Sequence, residues 1–195
     1  MKTRTSLALI SALALGAATA YPAAAAAEEG PFYLVLKGGA YFPTVSNAIS
    51  AVTAGDFKTG YTIELGGGVD FGAIGLQLSA GYLHTTATNA TVTGWPLLGL
   101  LRLRLPIFFI VPYLEGGVGA FFSSATISGT SASAQVDFQG VVGGGVDLLF
   151  GPVIVGAEAR YLWVSPTFTA PTIPTGSANV KLDGVTLTAN LGWRF

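Results

Sequence analysis

The chain has 195 residues, of which 51% are hydrophobic and only 10% are charged, and its formal net charge at pH 7 is −1. Soluble domains typically carry about 25% charged residues, so this composition disfavours an ordinary water-soluble surface, and the slightly acidic balance disfavours nucleic acid as a partner. The chain contains no cysteine, which excludes disulfides, thiolate metal sites and an acylated lipoprotein cysteine.

The N-terminus has the pattern of an export signal. Two basic residues precede an apolar run over residues 7–18, which is followed by small residues. The run is shorter than the roughly 20 residues of a membrane-spanning helix, which favours a cleaved signal over a permanent anchor. Cleavage is possible after Ala20 or Ala27, and the two glutamates that come next favour Ala27. We therefore predict a signal peptide over 1–27 and a single mature domain over 28–195.

After the signal, apolar residues alternate with small or polar residues in runs of about ten, separated by clusters of Gly, Pro, Ser, Thr and Asn. A period of two is typical of β-strands with one apolar face. The clearest run is the last one, where every second residue from Val185 to Phe195 is apolar. Together these runs predict eight strands, at approximately residues 31–43, 59–71, 74–85, 93–105, 111–123, 135–150, 153–165 and 182–195.

The links between these strands alternate in length. The most helix-like competing segment, 96–121, is interrupted by charges and prolines and would make a poor membrane helix. Short turns at one end and long loops at the other are typical of outer-membrane barrels. Because hydrocarbon offers no hydrogen-bond partners, the first and last strands must pair. The short links are 71–74, 106–110 and 150–152, and the long links, rich in small and polar residues, are 44–58, 86–92, 124–134 and 166–181.

Alternation alone also fits a soluble barrel with an apolar interior. Here the polar face is rich in glycine, carries only scattered charges and lacks the Lys and Glu of a soluble surface. Glycine on that face would make room in a narrow lumen. These features favour a barrel whose apolar outer face meets lipid.

Aromatic residues support the same choice. When the strands take alternating directions from a periplasmic N-terminus, the lipid-facing aromatic residues collect at two levels, as expected for rings that favour the headgroup regions of a membrane. The outer girdle is predicted to contain Phe42, Tyr61, Tyr82, Trp95, Phe122, Phe138 and Trp163, and the inner girdle Phe32, Phe71, Phe150, Trp193 and Phe195.

Several segments resemble the small outer-membrane β-barrel domains related to the OmpA, OmpX and OmpW types. They are YLVLKGGAYFP at 33–43, FKTGY at 57–61, LRLRLP at 101–106, PYLEGGVG at 112–119 and the terminal GWRF at 192–195. The resemblance covers essentially the whole mature chain.

This resemblance implies an all-β fold with a single eight-stranded antiparallel up-and-down transmembrane barrel in the cell outer membrane, surrounded by lipid and lipopolysaccharide. It also implies that Trp193 and Phe195 form the C-terminal signal for the barrel-assembly machinery. Asn190 departs from that signal, since a glycine often stands upstream in it.

The strand phase points a set of charged side chains into the barrel, with Asp137 near the outer mouth. Eight strands leave an interior just wide enough to be filled by side chains, which favours a plug of ion pairs over a conducting path. An alternative is that Arg102, Arg104 and Glu115 form a gate that can open. The predicted lumen network contains Lys37, Glu64, Asp70, Arg102, Arg104, Glu115, Asp147, Glu158, Arg160 and Arg194.

No enzymatic site or cofactor is predicted. His84 is the one histidine, and its phase places it at the lipid-facing rim, where neither a catalytic triad nor a multi-histidine metal site can be assembled. We expect a monomer with a structural or surface-interaction role that uses the long loops, whose composition names no ligand. A narrow porin-like channel for small or hydrophobic solutes and an adhesin that contacts a host surface are the alternatives.

Overall fold

The computed structural model describes residues 30–44, 57–87, 90–127, 130–164, 167–169, 177–179 and 182–195. The predicted signal peptide, residues 1–27, lies outside the described residues. Most of the long link at 44–58 and most of the link at 166–181 also lie outside them. Across the described ranges, no helix is long and apolar enough to cross a membrane.

The described residues form a closed antiparallel β-barrel. Eight long strands pair in the order β1-β2-β3-β4-β5-β6-β7-β10, and β10 returns to pair with β1. This confirms the predicted all-β, eight-stranded up-and-down barrel. The strands are β1 Phe32–Pro43, β2 Gly60–Phe71, β3 Ile74–Ala87, β4 Ala90–Arg104, β5 Ile110–Ile127, β6 Thr130–Phe150, β7 Val153–Val164, β8 Thr167–Thr169, β9 Ser177–Asn179 and β10 Gly184–Arg194.

The first and last strands form the seam that closes the barrel. Their register runs from Tyr33 opposite Arg194 to Pro43 opposite Gly184. The backbone N–H of Phe195 then donates to the carbonyl of Phe32 at 2.9 Å. Because the strands alternate in direction, both ends of the described barrel chain lie with the short turns, and the long hairpins lie at the opposite end.

Two of the links are shorter than the sequence pattern predicts. The β3–β4 ladder continues to Ala87 opposite Ala90, and the β5–β6 ladder continues to Ile127 opposite Thr130. The Ala, Thr and Ser residues there lack apolar alternation, but antiparallel pairing still satisfies their backbone N–H and C=O groups. The hairpins therefore extend beyond the apolar belt as paired strands, with a register shift between Phe122 and Ser124 in the β5–β6 ladder. Within 166–181, β8 and β9 pair with each other, and β8 pairs with β6.

The two faces of the barrel wall reverse the usual distribution of a soluble protein. Leu78, on the outer face, is 72% exposed, whereas Lys37, on the inner face, is 1% exposed. The outward residues of each strand form an apolar belt, as the burial patterns of β1, β2 and β3 show. Such a surface is stable in hydrocarbon and unstable in water, so the barrel is a membrane-spanning one.

Candidate functional site

The lumen is where the barrel concentrates its charged side chains. All ten predicted lumen residues point into it, because each stands on the inward phase of its strand. Five are basic and five are acidic. Their side chains are almost completely removed from solvent, with Arg194 the most exposed at 15%. Unpaired charges in such a place would be costly, so their pairing decides whether the lumen is stable.

Arg160, on β7, is the centre of the largest cluster. Its guanidinium contacts three carboxylates: Nη1 lies 2.7 Å from Oε2 of Glu64, Nε lies 2.6 Å from Oε1 of Glu158, and Nε also pairs with Glu115. These partners stand on three different strands, so Arg160 links β2, β5 and β7 across the lumen. A planar guanidinium with five donors suits this role better than an ammonium group.

Two further cations complete this central ionic layer. Lys37 Nζ donates to Glu158 Oε2 at 2.6 Å and lies 3.8 Å from Glu64. Arg102 Nη2 donates to Asp147 Oδ2 at 2.9 Å, and its Nε lies 3.5 Å from Glu115. The layer thus connects six strands, β1, β2, β4, β5, β6 and β7, by charge-assisted contacts.

A second, smaller cluster lies toward the short-turn end. Asp70 accepts from Arg194 Nη2 at 2.6 Å and also pairs with Arg104. The predicted gate of Arg102, Arg104 and Glu115 is therefore only partly assembled. Arg102 and Glu115 meet in the central layer, whereas Arg104 pairs with Asp70 in the second cluster.

Two tyrosines that the charge pattern of the sequence does not single out extend the central layer. The Tyr113 hydroxyl donates to Glu158 Oε2 at 2.7 Å, and the Arg102 guanidinium lies 3.8 Å from the Tyr113 ring centroid. Tyr33 donates to Gln77 Oε1 at 3.1 Å. Glycines face both rings: a Cβ at Gly145 would lie 2.8 Å from Tyr113 Cζ. The sequence pattern that could have identified them is a tyrosine on the inward-facing phase of one strand opposite an inward-facing glycine on the next.

An apolar layer fills the lumen toward the long-hairpin end. The Phe121 ring is 1% exposed and occupies the space that a side chain at Gly94 would need. Each of these residues has the inward phase, so the sequence shows the layer as apolar residues on the otherwise polar face. Its members are Tyr41, Leu83, Val92, Leu98, Leu100, Phe121, Ala125, Val141, Leu162, Val164 and Leu182.

A small cavity separates the two layers. Its volume is about 20 Å³, which is room for about one water molecule. Glu64 and Arg160 line it from the ionic layer, and Leu98 and Leu162 line it from the apolar layer. In the part of the chain that the structure describes, the lumen is therefore filled by side chains in two layers of different chemistry.

Four aromatic side chains form a cluster on the outer face near the long-hairpin end. The His84 ring centroid lies 5.2 Å from that of Tyr61 and 6.4 Å from that of Tyr82, and Tyr82 meets Trp95 edge-on at 4.8 Å. His84 thus lies at the rim and outside the lumen. Among the residues of the described ranges, no group of three or more His, Cys, Asp or Glu residues could hold a metal ion.

All the predicted girdle residues lie on the outer face. Tyr82 is half-buried in the aromatic cluster, and the side chains of the others are exposed. The exposed ones near the long hairpins are Phe42, Tyr61, Trp95, Phe122, Phe138 and Trp163, and those near the short turns are Phe32, Phe71, Phe150, Trp193 and Phe195.

The family model of the outer membrane protein beta-barrel domain matches residues 10–195. Among solved structures, the chain is similar to Neisserial surface protein A, with 16% identity, a TM-score of 0.62 and coverage of 85% of this chain and 98% of that chain. It is also similar to the outer membrane protein OprG from Pseudomonas aeruginosa, with 13% identity, a TM-score of 0.61 and coverage of 86% and 97%.

The solid-state NMR structure of the outer membrane protein AlkL is a third similar structure, with 15% identity, a TM-score of 0.54 and coverage of 90% of this chain and 95% of that chain. At such identities the solved structures show a shared fold. A search of curated protein sequences found no match.

Proposed function

The chain belongs to the outer membrane protein beta-barrel domain family, and within that family we propose that it is a closed, non-conducting barrel that acts through its outward-facing surface. The observation that carries this proposal is the filling of the lumen. An ionic layer around Arg160 and an apolar layer around Phe121 lie in series, with a cavity of about 20 Å³ between them. A permeating ion would have to break both layers.

Planar bilayers test this proposal directly. Purified, refolded protein is expected to produce no discrete current steps, because side chains fill the lumen of the described barrel and leave a hydrated ion no continuous aqueous path. A known porin in the same bilayers controls for detection. Stepwise conductance from the wild-type protein would overturn the proposal and favour the channel alternative.

The described part of the outward surface consists of the long hairpins together with β8 and β9. The β3–β4 and β5–β6 hairpins extend as paired strands, and β8 adds to β6 on the same side. This gives the protein a structured platform above the membrane on which a surface ligand can bind. An adhesive role is tested by measuring attachment to a host surface. Cells that express the wild-type protein are compared with cells that express a variant in which residues 166–181 are replaced by a short Gly-Ser link.

The outer-face aromatic cluster supports contact with the sugar-phosphate headgroups of lipopolysaccharide. Tyr61, Tyr82 and His84 present ring faces and polar tips at the rim. The Lys58 side chain, three residues before Tyr61 in the chain, is exposed, and its backbone N–H donates to the carbonyl of Thr86 at 2.8 Å. Cations and aromatic rings suit phosphate and sugar respectively.

The same proposal assigns the protein no enzymatic activity. His84 lies on the lipid-facing side, whereas the acidic lumen residues, such as Glu115 and Glu158, are engaged in ion pairs inside the barrel. The His84 imidazole and these lumen carboxylates are therefore on opposite sides of the barrel wall and cannot act together as base and acid. Hydrolysis of lipid substrates by purified protein, lost in a His84→Ala variant, would contradict this assignment.

Biogenesis completes the proposal. Residues 1–27 are removed on export, Trp193 and Phe195 are read by the barrel-assembly machinery, and the mature protein is a monomer. The exposure of the Trp193 and Phe195 side chains supports their recognition by the barrel-assembly machinery. The pairing of all eight barrel strands leaves no free barrel edge, which supports the monomer. The intact mass of the mature protein tests cleavage after Ala27, and light scattering in detergent tests the monomer.

A further inference from the structure

The three short turns of the barrel have the same length and the same sign of φ at their first central residue. Each has two residues between a pair of facing residues: Phe71 and Ile74, Phe150 and Val153, and Ile107 and Ile110. In each turn, the first of the two central residues has a positive φ, which is +69° at Gly72, +58° at Gly151 and +57° at Phe108. Glycine is the usual residue at such a position, because it has no Cβ to clash with the backbone.

Phe108 therefore stands where the two equivalent turns have glycine. A bulky residue with positive φ is an outlier among L-residues. The backbone of this turn is nevertheless well defined: Ile107 N–H donates to the Ile110 carbonyl at 2.7 Å, and Ile110 N–H donates back at 3.0 Å. A phenylalanine that is disfavoured by its own backbone indicates that the side chain contributes something outside the fold.

The Phe108 ring makes almost no contact with the protein, since the residue is 96% exposed. Its neighbours are apolar as well, with Ile107 at 55% and Phe109 at 53% exposure. The whole segment 105–111 reads LPIFFIV and contains no charged or polar side chain. A turn that faced only water would be expected to carry polar residues, so this one requires an apolar environment.

The turn is continuous with the lipid-facing belt. The Phe109 ring centroid lies 6.4 Å from that of Phe150, which is exposed at the short-turn end of the belt. Phe109 also accepts a hydrogen bond from Leu149 N–H at 2.8 Å, which fixes the turn against β6. Above the turn, Leu103 and Leu114 continue the outer apolar face. Lipid already covers this outer face, and the turn extends the lipid-covered surface.

We propose that the Ile107–Ile110 turn inserts into the periplasmic leaflet of the membrane as an anchor, with the Phe108 ring buried at the boundary between headgroups and acyl chains. The partner is thus a phospholipid surface. The anchor lies on the β4–β5 side, while the β2–β3 and β6–β7 turns have glycine at the corresponding position. It therefore holds one side of the barrel more deeply in the leaflet than the others.

Tryptophan fluorescence in vesicles tests this insertion. In a background in which Trp95, Trp163 and Trp193 are replaced by phenylalanine, a Phe108→Trp variant is refolded into phosphatidylcholine vesicles with or without brominated acyl chains. Two reference variants share the background: Leu78→Trp at the centre of the lipid-facing belt, and Thr126→Trp on the exposed outer part of β5.

Brominated lipid is expected to lower the Phe108→Trp emission by about twofold, as it does for Leu78→Trp, because the ring lies near the acyl chains. Acrylamide is expected to quench it several-fold less than Thr126→Trp. Quenching by acrylamide equal to that of Thr126→Trp, without quenching by brominated lipid, would overturn the proposal.

A Phe108→Gly variant separates anchoring from folding. Glycine suits the backbone of this turn, as it does at Gly72 and Gly151, so the barrel is expected to fold in detergent at least as well as the wild type. In phosphatidylcholine vesicles, insertion is expected to slow several-fold, because the apolar turn that enters the leaflet has lost its ring. Equal insertion rates for the two proteins would contradict the anchor.

Discussion

At the scale of single residues, glycine and tyrosine are matched across the lumen. A Cβ at Gly68 would overlap the Tyr33 ring and would approach the Leu76 carbonyl oxygen to 2.6 Å. Tyr33 in turn bonds Gln77 and receives a long hydrogen bond, 3.4 Å, from Arg102. The missing side chain of one strand thus makes room for the aromatic ring of the next.

We expect Gly68→Ala to destabilise the barrel by about 1–3 kcal/mol, the range for overpacking a filled core. Gly38→Ala is the matched control, because a Cβ there would lie 4.0 Å from the Thr62 carbonyl oxygen, an ordinary contact, and points to the lipid side. Urea unfolding in detergent, followed by gel mobility, measures both variants. Equal stability of the two would show that the Tyr33 ring is not confined by Gly68.

Arg160 contacts three carboxylates of the ionic layer, so its replacement by a neutral residue leaves an excess of negative charge there. Among the described residues, Arg160→Met leaves Glu64, Glu115 and Glu158 with Lys37 and Arg102 as their cationic partners. The loss of one partner from buried ion pairs costs about 3–5 kcal/mol, and we expect a loss of unfolding free energy of that size.

The double variant Arg160→Met, Glu64→Gln tests whether charge or shape is responsible. Glu64 accepts two hydrogen bonds from Arg160, at 2.7 and 3.2 Å, so the second substitution removes the carboxylate that the first leaves unpaired. The double variant is expected to recover part of the lost stability. If the two effects simply add, the two residues are not energetically coupled.

At the scale of strands, the seam between β1 and β10 depends on a close backbone approach. A side chain at Gly39 would overlap the Leu187 carbonyl oxygen and would lie 2.7 Å from the Thr188 Cα, both on β10. The adjacent residue, Gly38, faces lipid, and a Cβ there would lie at an ordinary contact distance of 4.0 Å from the Thr62 carbonyl oxygen. Two neighbouring glycines in one strand thus have different roles.

Gly39→Val is expected to prevent closure of the barrel, because the branched side chain cannot fit against the backbone of β10. Gly38→Val, one residue away, is expected to fold normally. The fraction of each protein that migrates as a folded species on an unheated gel measures closure. A well-folded Gly39→Val variant would mean that the seam can shift to accept a side chain.

The residue that follows the last strand is aromatic, and the fold does not bury it. Phe195 is 60% exposed, and its contribution to the barrel is the backbone hydrogen bond to Phe32. We expect Phe195→Ala to refold in detergent like the wild type but to reach the outer membrane in several-fold smaller amounts in cells, since the assembly signal is weakened. Equal reductions in detergent and in cells would indicate a structural role instead.

At the scale of the whole molecule, closure predicts unusual resistance to detergent. All eight barrel strands are paired on both sides, so the barrel opens only by breaking a complete ladder. We expect unheated protein in SDS to migrate differently from heated protein, because the compact barrel survives until it is boiled. Identical migration would contradict a stable closed barrel.

The orientation across the membrane can be measured because the chain contains no cysteine. A membrane-impermeant maleimide is expected to label Thr126→Cys, on the long-hairpin side, in intact cells. Ala73→Cys, in the β2–β3 turn, is expected to be labelled only after the outer membrane is permeabilised. The reverse pattern would place the short turns outside.

The sequence by itself determined the strands and the direction in which their side chains point, because the side-chain period of two is a local property of the chain. Lys37, Glu64 and Arg160 share the inward phase, and that much can be read from alternation alone. The pattern could not show how far each ladder continues, because the Thr and Ser residues around Thr126 pair without apolar alternation.

Only the tertiary structure decided which of these residues meet. Arg160 bonds Glu64 across a separation of 96 residues, and this pairing depends on the register of every strand around the barrel. The register also stacked Phe121 and Leu98 into an apolar layer beyond the ions. The register results from many backbone pairings around the barrel, and no local sequence pattern contains it. The two-layer filling of the lumen therefore appears only when the barrel is closed.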